Sequence, residues 1–323
     1  MRSCENRPMQ LEELGRDKFD AAQLVHDHPP RFALEHKQRL YDAIPVPIGG
    51  TLTVSRWAGR LPATVESPVA TVVEVVNEHF TYPPDTAKVT RWHANFAHSS
   101  LFVVYGSSLM AQDELQVMEH PALGSLREAL VDGATKSPGL KPFTREGGRP
   151  TPVLVRGAQR SMAIDTSQGV YGNAFARASF EAVIAATTFI DPPASSNIVA
   201  MEAPPGGYGR YARHEIEDIL VTAFIGFSAC RVESGATERV VHTGNWGTGA
   251  YGGDLVLMAL LQLLAARLAG LERLVFHSRG EAAHVARAEA LINALPLGEG
   301  ASIDDVAEAV HDLGFVWGVS DGN

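Results

Sequence analysis

Cysteine is scarce. Cys4 and Cys230 are the two in 323 residues, which excludes a CxxC zinc or redox site and a disulfide framework. A single bridge fits the count less well than a reducing compartment, so a cytoplasmic protein is expected. Long apolar runs are missing as well. The longest, Leu255–Leu264, is interrupted by Gln262 and followed by Arg267, too short to span a bilayer. The opening stretch MRSCENRPMQLEELGRDKF has no apolar core of the kind a signal peptide needs. Basic residues are outnumbered, with 27 Lys and Arg against 37 Asp and Glu and a net charge of −10. That balance argues against general nucleic-acid binding, which needs a basic surface. It leaves room for a local site for an anionic small molecule.

What is present is a globular composition. Hydrophobic residues make up 45%, enough for a sizeable core. The length corresponds to roughly two domains at ~150 residues each, or one large domain with an appendage. Residues 1–45 read as polar helix, LEELGRDKFDAAQLV and then RFALEHKQRLYDAI, separated by the turn HDHPP. Leu11, Leu14 and Leu24 are sparse, so the first helix must lean on something else. PVPIGG at 45–50 reads as a loop. From residue 69 the texture changes to short β-branched runs: VATVVEVV (69–76), VTRWHANFA (89–97), VLVRG (153–157), ASSNIVAMEA (194–203), RVVHTG (239–244) and LVFHS (274–278). Helical patterns lie between and after them, at 125–134, 214–232, 254–270 and 301–314, the last with Ser302 as its cap. The stretch 135–152 is rich in Gly and Pro and reads as a surface loop. Alternating strands and helices imply an α/β protein with a sheet covered on both faces.

The densest signal is VVHTGNWGTGAYGGDLVLMALLQLLAA at 240–266. It reads as strand, glycine loop, helix. Gly244, Gly247, Gly249, Gly252 and Gly253 fall within ten residues, so backbone N–H groups can approach an anion, with the positive end of the next helix behind them. No Gly-Lys-Ser/Thr follows, so this is not a P-loop, and the spacing GxGxxGG is a poor dinucleotide fingerprint. A phosphate or diphosphate is the natural ligand. The run TGNWGTGAYGGD resembles the C-terminal signature of the poly(ADP-ribose) glycohydrolase catalytic domain, a macrodomain-type fold. The resemblance implies that Gly244, Asn245, Gly247, Thr248, Gly249, Ala250, Tyr251 and Gly252 cradle the diphosphate of ADP-ribose, with Tyr251 against the ligand ribose. Asn245 and Trp246 can equally brace the loop.

Cleavage of an O-ribosyl bond requires a carboxyl group at the scissile bond, to protonate the leaving oxygen and then activate water. In FAHSSLFVVYGSSLMAQDEL (96–115), Phe96 and Ala97 begin, and Gln112, Asp113 and Glu114 end, a run similar to the family signature of FAN, a triple glycine and Gln-Glu-Glu opening a helix. The resemblance implies Glu114 as acid/base, with Asp113 and Gln112 positioning the ribose. Three departures stand out. His98 replaces the family Asn, Asp113 replaces the first Glu, and Phe102, Val103 and Val104 replace the triple glycine. His98 is then a candidate ribose partner. Tyr171, in GVYGNAF, is the candidate to stack on adenine, and Glu202 is a structural carboxylate.

Together these readings imply a macrodomain-like mixed β-sheet sandwiched between helices, resembling the family over roughly 88–318, with a small N-terminal helical extension. The chain divides into an accessory segment, 1–68, and the catalytic-type domain, 69–323. The implied function is hydrolysis of an ADP-ribosyl linkage. The implied partners are ADP-ribose, ADP-ribosylated protein or poly(ADP-ribose), with no nucleic acid and no membrane. The alternatives are an ADP-ribose reader without turnover and a hydrolase for another ADP-ribosyl linkage. A monomer without metal or cofactor is expected; HVARAE (284–289) reads as helix surface rather than a ligand set.

Overall fold

The computed structural model describes residues 11–65 and 70–322. Cys4 and the proposed division at 68/69 lie outside the described residues, as does the start of the VATVVEVV run. The strands are β1 (Leu11–Asp20), β2 (Thr51–Gly59), β3 (Val72–Val76), β4 (Val89–Ala97), the two-residue β5 (Arg145–Glu146) and β6 (Arg149–Pro150), β7 (Val153–Ile164), β8 (Thr187–Glu202), β9 (Glu238–Gly244) and β10 (Arg273–His277). The helices are α1 (Ala21–Asp27), α2 (Glu35–Asp42), α3 (Gln112–Glu119), α4 (Ala122–Val131), α5 (Phe180–Ala185), α6 (Arg213–Ser234), α7 (Leu255–Ala269), α8 (Ala283–Ile292) and α9 (Ile303–Asp312).

Eight strands form one mixed sheet in the order β1-β2-β7-β8-β4-β9-β10-β3. The pairs from β1 to β8 are antiparallel, and those from β8 through β4, β9 and β10 to β3 are parallel. The register aligns the ends of the parallel half: Ala97 pairs with Glu202, and Gly244 with His277. In an α/β sheet the crevice outside these carboxyl ends is where ligands bind. The main core, built on α6 and α7, holds the buried Trp92, Val199, Met201 and Val241. A second cluster holds Leu52, Ala97, Phe102, Leu123 and Val155. Helices therefore cover both faces. Among the described residues no helix is long and apolar enough to cross a membrane.

The N-terminal reading needs correction. Residues 11–20 are a strand, paired antiparallel with β2 from Leu11 opposite Gly59 to Asp20 opposite Thr51. Only the last third of LEELGRDKFDAAQLV is helical, from Ala21, with Asp20 capping Gln23 N at 2.9 Å. The sparse leucines that made a lone helix weak suit a strand that buries Leu11 and Gly15 and bonds along its whole length. The extension is thus neither purely helical nor peripheral, since β1 and β2 complete the sheet. The 135–152 loop carries the β5–β6 hairpin, and β2, which no sequence pattern announced, links β1 to β7.

Helix α7 is buried over most of its length. Asp254 caps it, its carboxylate accepting from Val256 N and Leu257 N, both at 2.9 Å. Replacing Asp254 with Ala should cost about 1 kcal/mol by urea unfolding, and Asp254→Asn should recover most of that. Equal stability of all three proteins would show that the cap contributes nothing.

Candidate functional site

The glycine loop joins β9 to α7 at the carboxyl rim of the sheet. Gly247 has φ +75°, and a Cβ there would lie 2.6 Å from Ala203 Cβ and 2.7 Å from Met258 Cε. Gly252 has φ +64°, and a Cβ would lie 2.9 Å from Ser320 N. Both positions demand glycine because the protein packs against itself there, a reason the sequence reading assigned wholly to a ligand. Gly252 also departs from its expected role. It does not line the cavity, and its carbonyl accepts from Gly318 N at 2.8 Å. It forms a seam with the chain beyond α9. Trp246 is buried and donates from Nε1 to Met201 O on β8 at 3.0 Å, so it braces the loop. Among the described residues nothing accepts from the N–H groups of Gly247, Gly249, Ala250 or Tyr251, the arrangement an anion would use.

Helix α3 presents the acidic pair. Gln112 staples it to β4: its Oε1 accepts from Phe96 N at 2.7 Å, and its Nε2 donates to Ala94 O at 3.0 Å. The side chain expected to position ribose is thus committed to the backbone at both ends. Asp113 is 6% exposed and accepts from Asn95 Nδ2 at 3.0 Å. Glu114 is 1% exposed and accepts from Ala111 N at 2.9 Å. Burial pushes both carboxyls above their ordinary range, and the Glu114 charge raises Asp113 further. Lys37 and the Asn95 hydrogen bond oppose the shift of Asp113. Asn95 and Lys37 are site residues that sequence reasoning missed. An amide inside the apolar strand VTRWHANFA was the available signal for Asn95; nothing marked Lys37.

Phe102, Val103 and Val104, where the resemblance sets a triple glycine, lie in the turn that leads into α3. Phe102 has a left-handed backbone, φ +53°, with its ring completely buried. Non-glycine residues rarely hold that conformation unless packing fixes them. Val103 and Val104 are each 36% exposed, and Val104 lines the cavity. His98 lines it too. Its Nδ1 accepts from Ser100 N at 3.1 Å, which places the ring proton on Nε2 as a donor.

All of these walls enclose one cavity of about 630 Å³, within the range of ligand sites. It brings together Gln112, Asp113, Glu114, His98, Tyr171, Gly244, Asn245, Gly247, Thr248, Gly249, Ala250 and Tyr251. Burial pushes the Tyr251 hydroxyl up to about 12, helped by the charges of Glu202 and Asp113. Glu202 itself is ion-paired with Arg145 at 2.7 Å. Tyr171 does not offer a bare face: the Arg279 guanidinium lies 4.5 Å from its ring centroid. Arg279 is a cavity residue absent from the sequence reading, hidden in a turn where it too adopts φ +53°. Among the described residues one group of three metal-ligand side chains comes together, Glu308, His311 and Asp312 on α9, and none of them lines the cavity.

Sheet order, rim loop and cavity define a macrodomain-type α/β domain. Residues 153–285, from β7 into α8, match the family model described as poly(ADP-ribose) glycohydrolase (PARG), macro domain fold. Over that stretch the chain is similar to the PARG family. The matched stretch contains Tyr171 and the glycine loop; the acidic pair precedes it. No curated protein matches the chain. Among solved structures, PARG from Thermomonospora curvata is 15% identical with a TM-score of 0.48, covering 83% of this chain and 97% of that one. The T. curvata enzyme bound to the inhibitor ADP-HPD is 16% identical with a TM-score of 0.47, covering 83% and 87%. PARG from Deinococcus radiodurans in complex with ADP-ribose is 14% identical with a TM-score of 0.45, covering 84% and 98%.

The acidic pair has a signature in stability. Carboxyls raised by burial hold protons more tightly in the folded chain than in the unfolded one. Their stabilisation is complete below the ordinary carboxylate range and is lost as pH rises through the elevated values. Buried His93, His120 and His242, held below their usual value, act oppositely, removing stability as pH falls below about 6.5. Asp113→Asn should therefore gain in Tm relative to the parent as pH rises from about 5 to about 8. Parallel Tm curves for the two proteins would contradict the burial of an ionisable pair.

Proposed function

We propose that the chain hydrolyses an O-linked ADP-ribosyl bond, releasing ADP-ribose from a modified protein or from poly(ADP-ribose). The observation that carries this reading is the meeting of the Asp113–Glu114 pair and the glycine loop in one cavity. The family match over the loop supports it. The N–H groups of the 247–251 turn would hold the diphosphate, and the preorganised donors need no rearrangement to do so. The adenine end would lie toward Tyr171, with Arg279 covering one face of that ring.

Glu114 is suited to act twice. Burial raises its carboxyl above the ordinary glutamate range, which favours the protonated form that would give its proton to the leaving oxygen as the ribose becomes oxocarbenium-like. The resulting carboxylate keeps the Ala111 N–H bond and the N-terminal end of α3 as stabilisation. It can then take a proton from the attacking water. Asp113, held by Asn95, would fix a ribose hydroxyl, and His98 offers Nε2–H to another. Val104, where glycine would leave bare backbone, narrows the scissile end.

Glu114→Gln should bind ADP-ribose within a few-fold of the parent by calorimetry and lose roughly 10²–10⁴ in release of ADP-ribose from its best substrate. The substrate panel comprises polymer and linkages to Ser, Arg, Glu and nucleic acid. Binding without release from any member by the parent protein would make the chain a reader. Val104→Gly should raise turnover of polymer relative to protein-linked ADP-ribose, since it opens the cavity without emptying the Phe102 site. An unchanged ratio would remove Val104 from substrate choice.

A further inference from the structure

Lys37, in a segment whose sequence reads as polar surface helix, is completely buried. Its Nζ donates to Tyr105 O at 2.7 Å and to Leu109 O at 2.6 Å. The surrounding chain makes the same join. Ala33 N donates to Gly106 O at 2.8 Å, Arg31 N donates to the Tyr105 hydroxyl at 2.5 Å, and that hydroxyl donates to Glu128 at 2.9 Å. The segment 31–37 is thus clasped to the turn that leads from Phe102 into α3. Leu109 and Ala111 of this turn line the cavity, and Ala111 N is the group that Glu114 accepts from. Moving the turn moves the acid/base.

A buried ammonium is costly unless its charge is used. Two carbonyl oxygens satisfy donors but carry no full negative charge. The charges acting on Lys37 are Glu114 first and Asp113 second, both from α3. The ring of Phe175 lies 5.8 Å from Nζ. Facing the acidic pair from the other elements are Arg127 of α4, which bonds Leu101 O and Ser100, and the Tyr171 and Tyr251 hydroxyls from their loops. Burial lowers Lys37 to about 8, which leaves it charged at neutral pH.

We propose that Lys37 is a positioning residue for this reaction: it locks the 105–109 turn at two carbonyls and supplies the counter-charge that lets the buried Asp113–Glu114 pair give up a proton. This rests on Glu114 being the acid/base. The strut and the charge separate by substitution. Lys37→Gln keeps a donor and loses the cation; Lys37→Arg keeps the cation. Loss of the cation favours protonated carboxyls, so the limb of the kcat/KM pH profile set by the pair should move up by about one pH unit in Lys37→Gln. It should stay in place in Lys37→Arg, with kcat reduced more than KM is raised. A limb that does not move in Lys37→Gln, with activity merely scaled down, overturns the charge role.

A second measurement does not depend on turnover or on a Lys37 variant that folds. The ¹³Cε resonance of Lys37 is titrated in the parent and in Glu114→Gln. Removing the carboxylate should lower the lysine midpoint by about half a pH unit or more. Coincident midpoints overturn the proposal. A shifted midpoint in a protein that releases no ADP-ribose sustains the pairing and sinks the catalytic reading alone.

Discussion

Two adjacent carboxyls are kept almost dry at the first turn of α3, and much of the site follows from that constraint. An isolated buried carboxylate is too costly to form, so each of the pair needs a named partner. Asp113 has the Asn95 amide from β4, and Glu114 has the Ala111 N–H. The helix terminus adds its dipole, and Gln112 fastens the whole turn to β4 by two backbone hydrogen bonds. The fit between strand and helix, rather than any one side chain, holds the pair in place. Position and protonation thus have a common origin: the contacts that exclude water also raise both carboxyls above the ordinary carboxylate range.

The glycine loop solves a different problem with a similar economy of parts. It must expose amides while remaining fixed. Trp246 anchors it to β8, and Gly247 lets it press on Ala203 and Met258. The backbone turned toward the cavity is therefore held from behind by the core. In the stretch before α3, Phe102 shows the converse. It adopts the backbone shape that a glycine takes readily, and its buried ring keeps it there.

The parallel half of the sheet was legible because its signals are local. Short β-branched runs, one of them ending in a glycine loop, and a nearly all-apolar helix after that loop have few other readings. The acidic pair and the loop were legible as motifs, and the structure brings both to one cavity. What was hidden depends on pairing across distance. β1 resembles a weak helix until Thr51–Gly59 is set beside it, and Lys37 looks like a solvated charge until the 105–109 turn folds over it. Asn95 and Arg279 act through neighbours far away in sequence. The glycines at 247 and 252 were noticed, but their reason was only half visible, since the atoms that forbid a Cβ there belong to other parts of the chain.

The seam at Gly252 couples two regions that look independent. Gly318 N bonds Gly252 O, Asp321 N bonds Gly249 O at 3.3 Å, and Asn173 bonds Gly322 O at 3.0 Å. Trp317, stacked on Tyr211 at 4.1 Å, pins the same stretch. Residues 317–322 thus run as a stitch from the back of the glycine turn to the loop that bears Tyr171. A fusion or affinity handle attached beyond that stitch would tug on the wall of the cavity, so its placement bears on the cavity's shape as directly as a change within it.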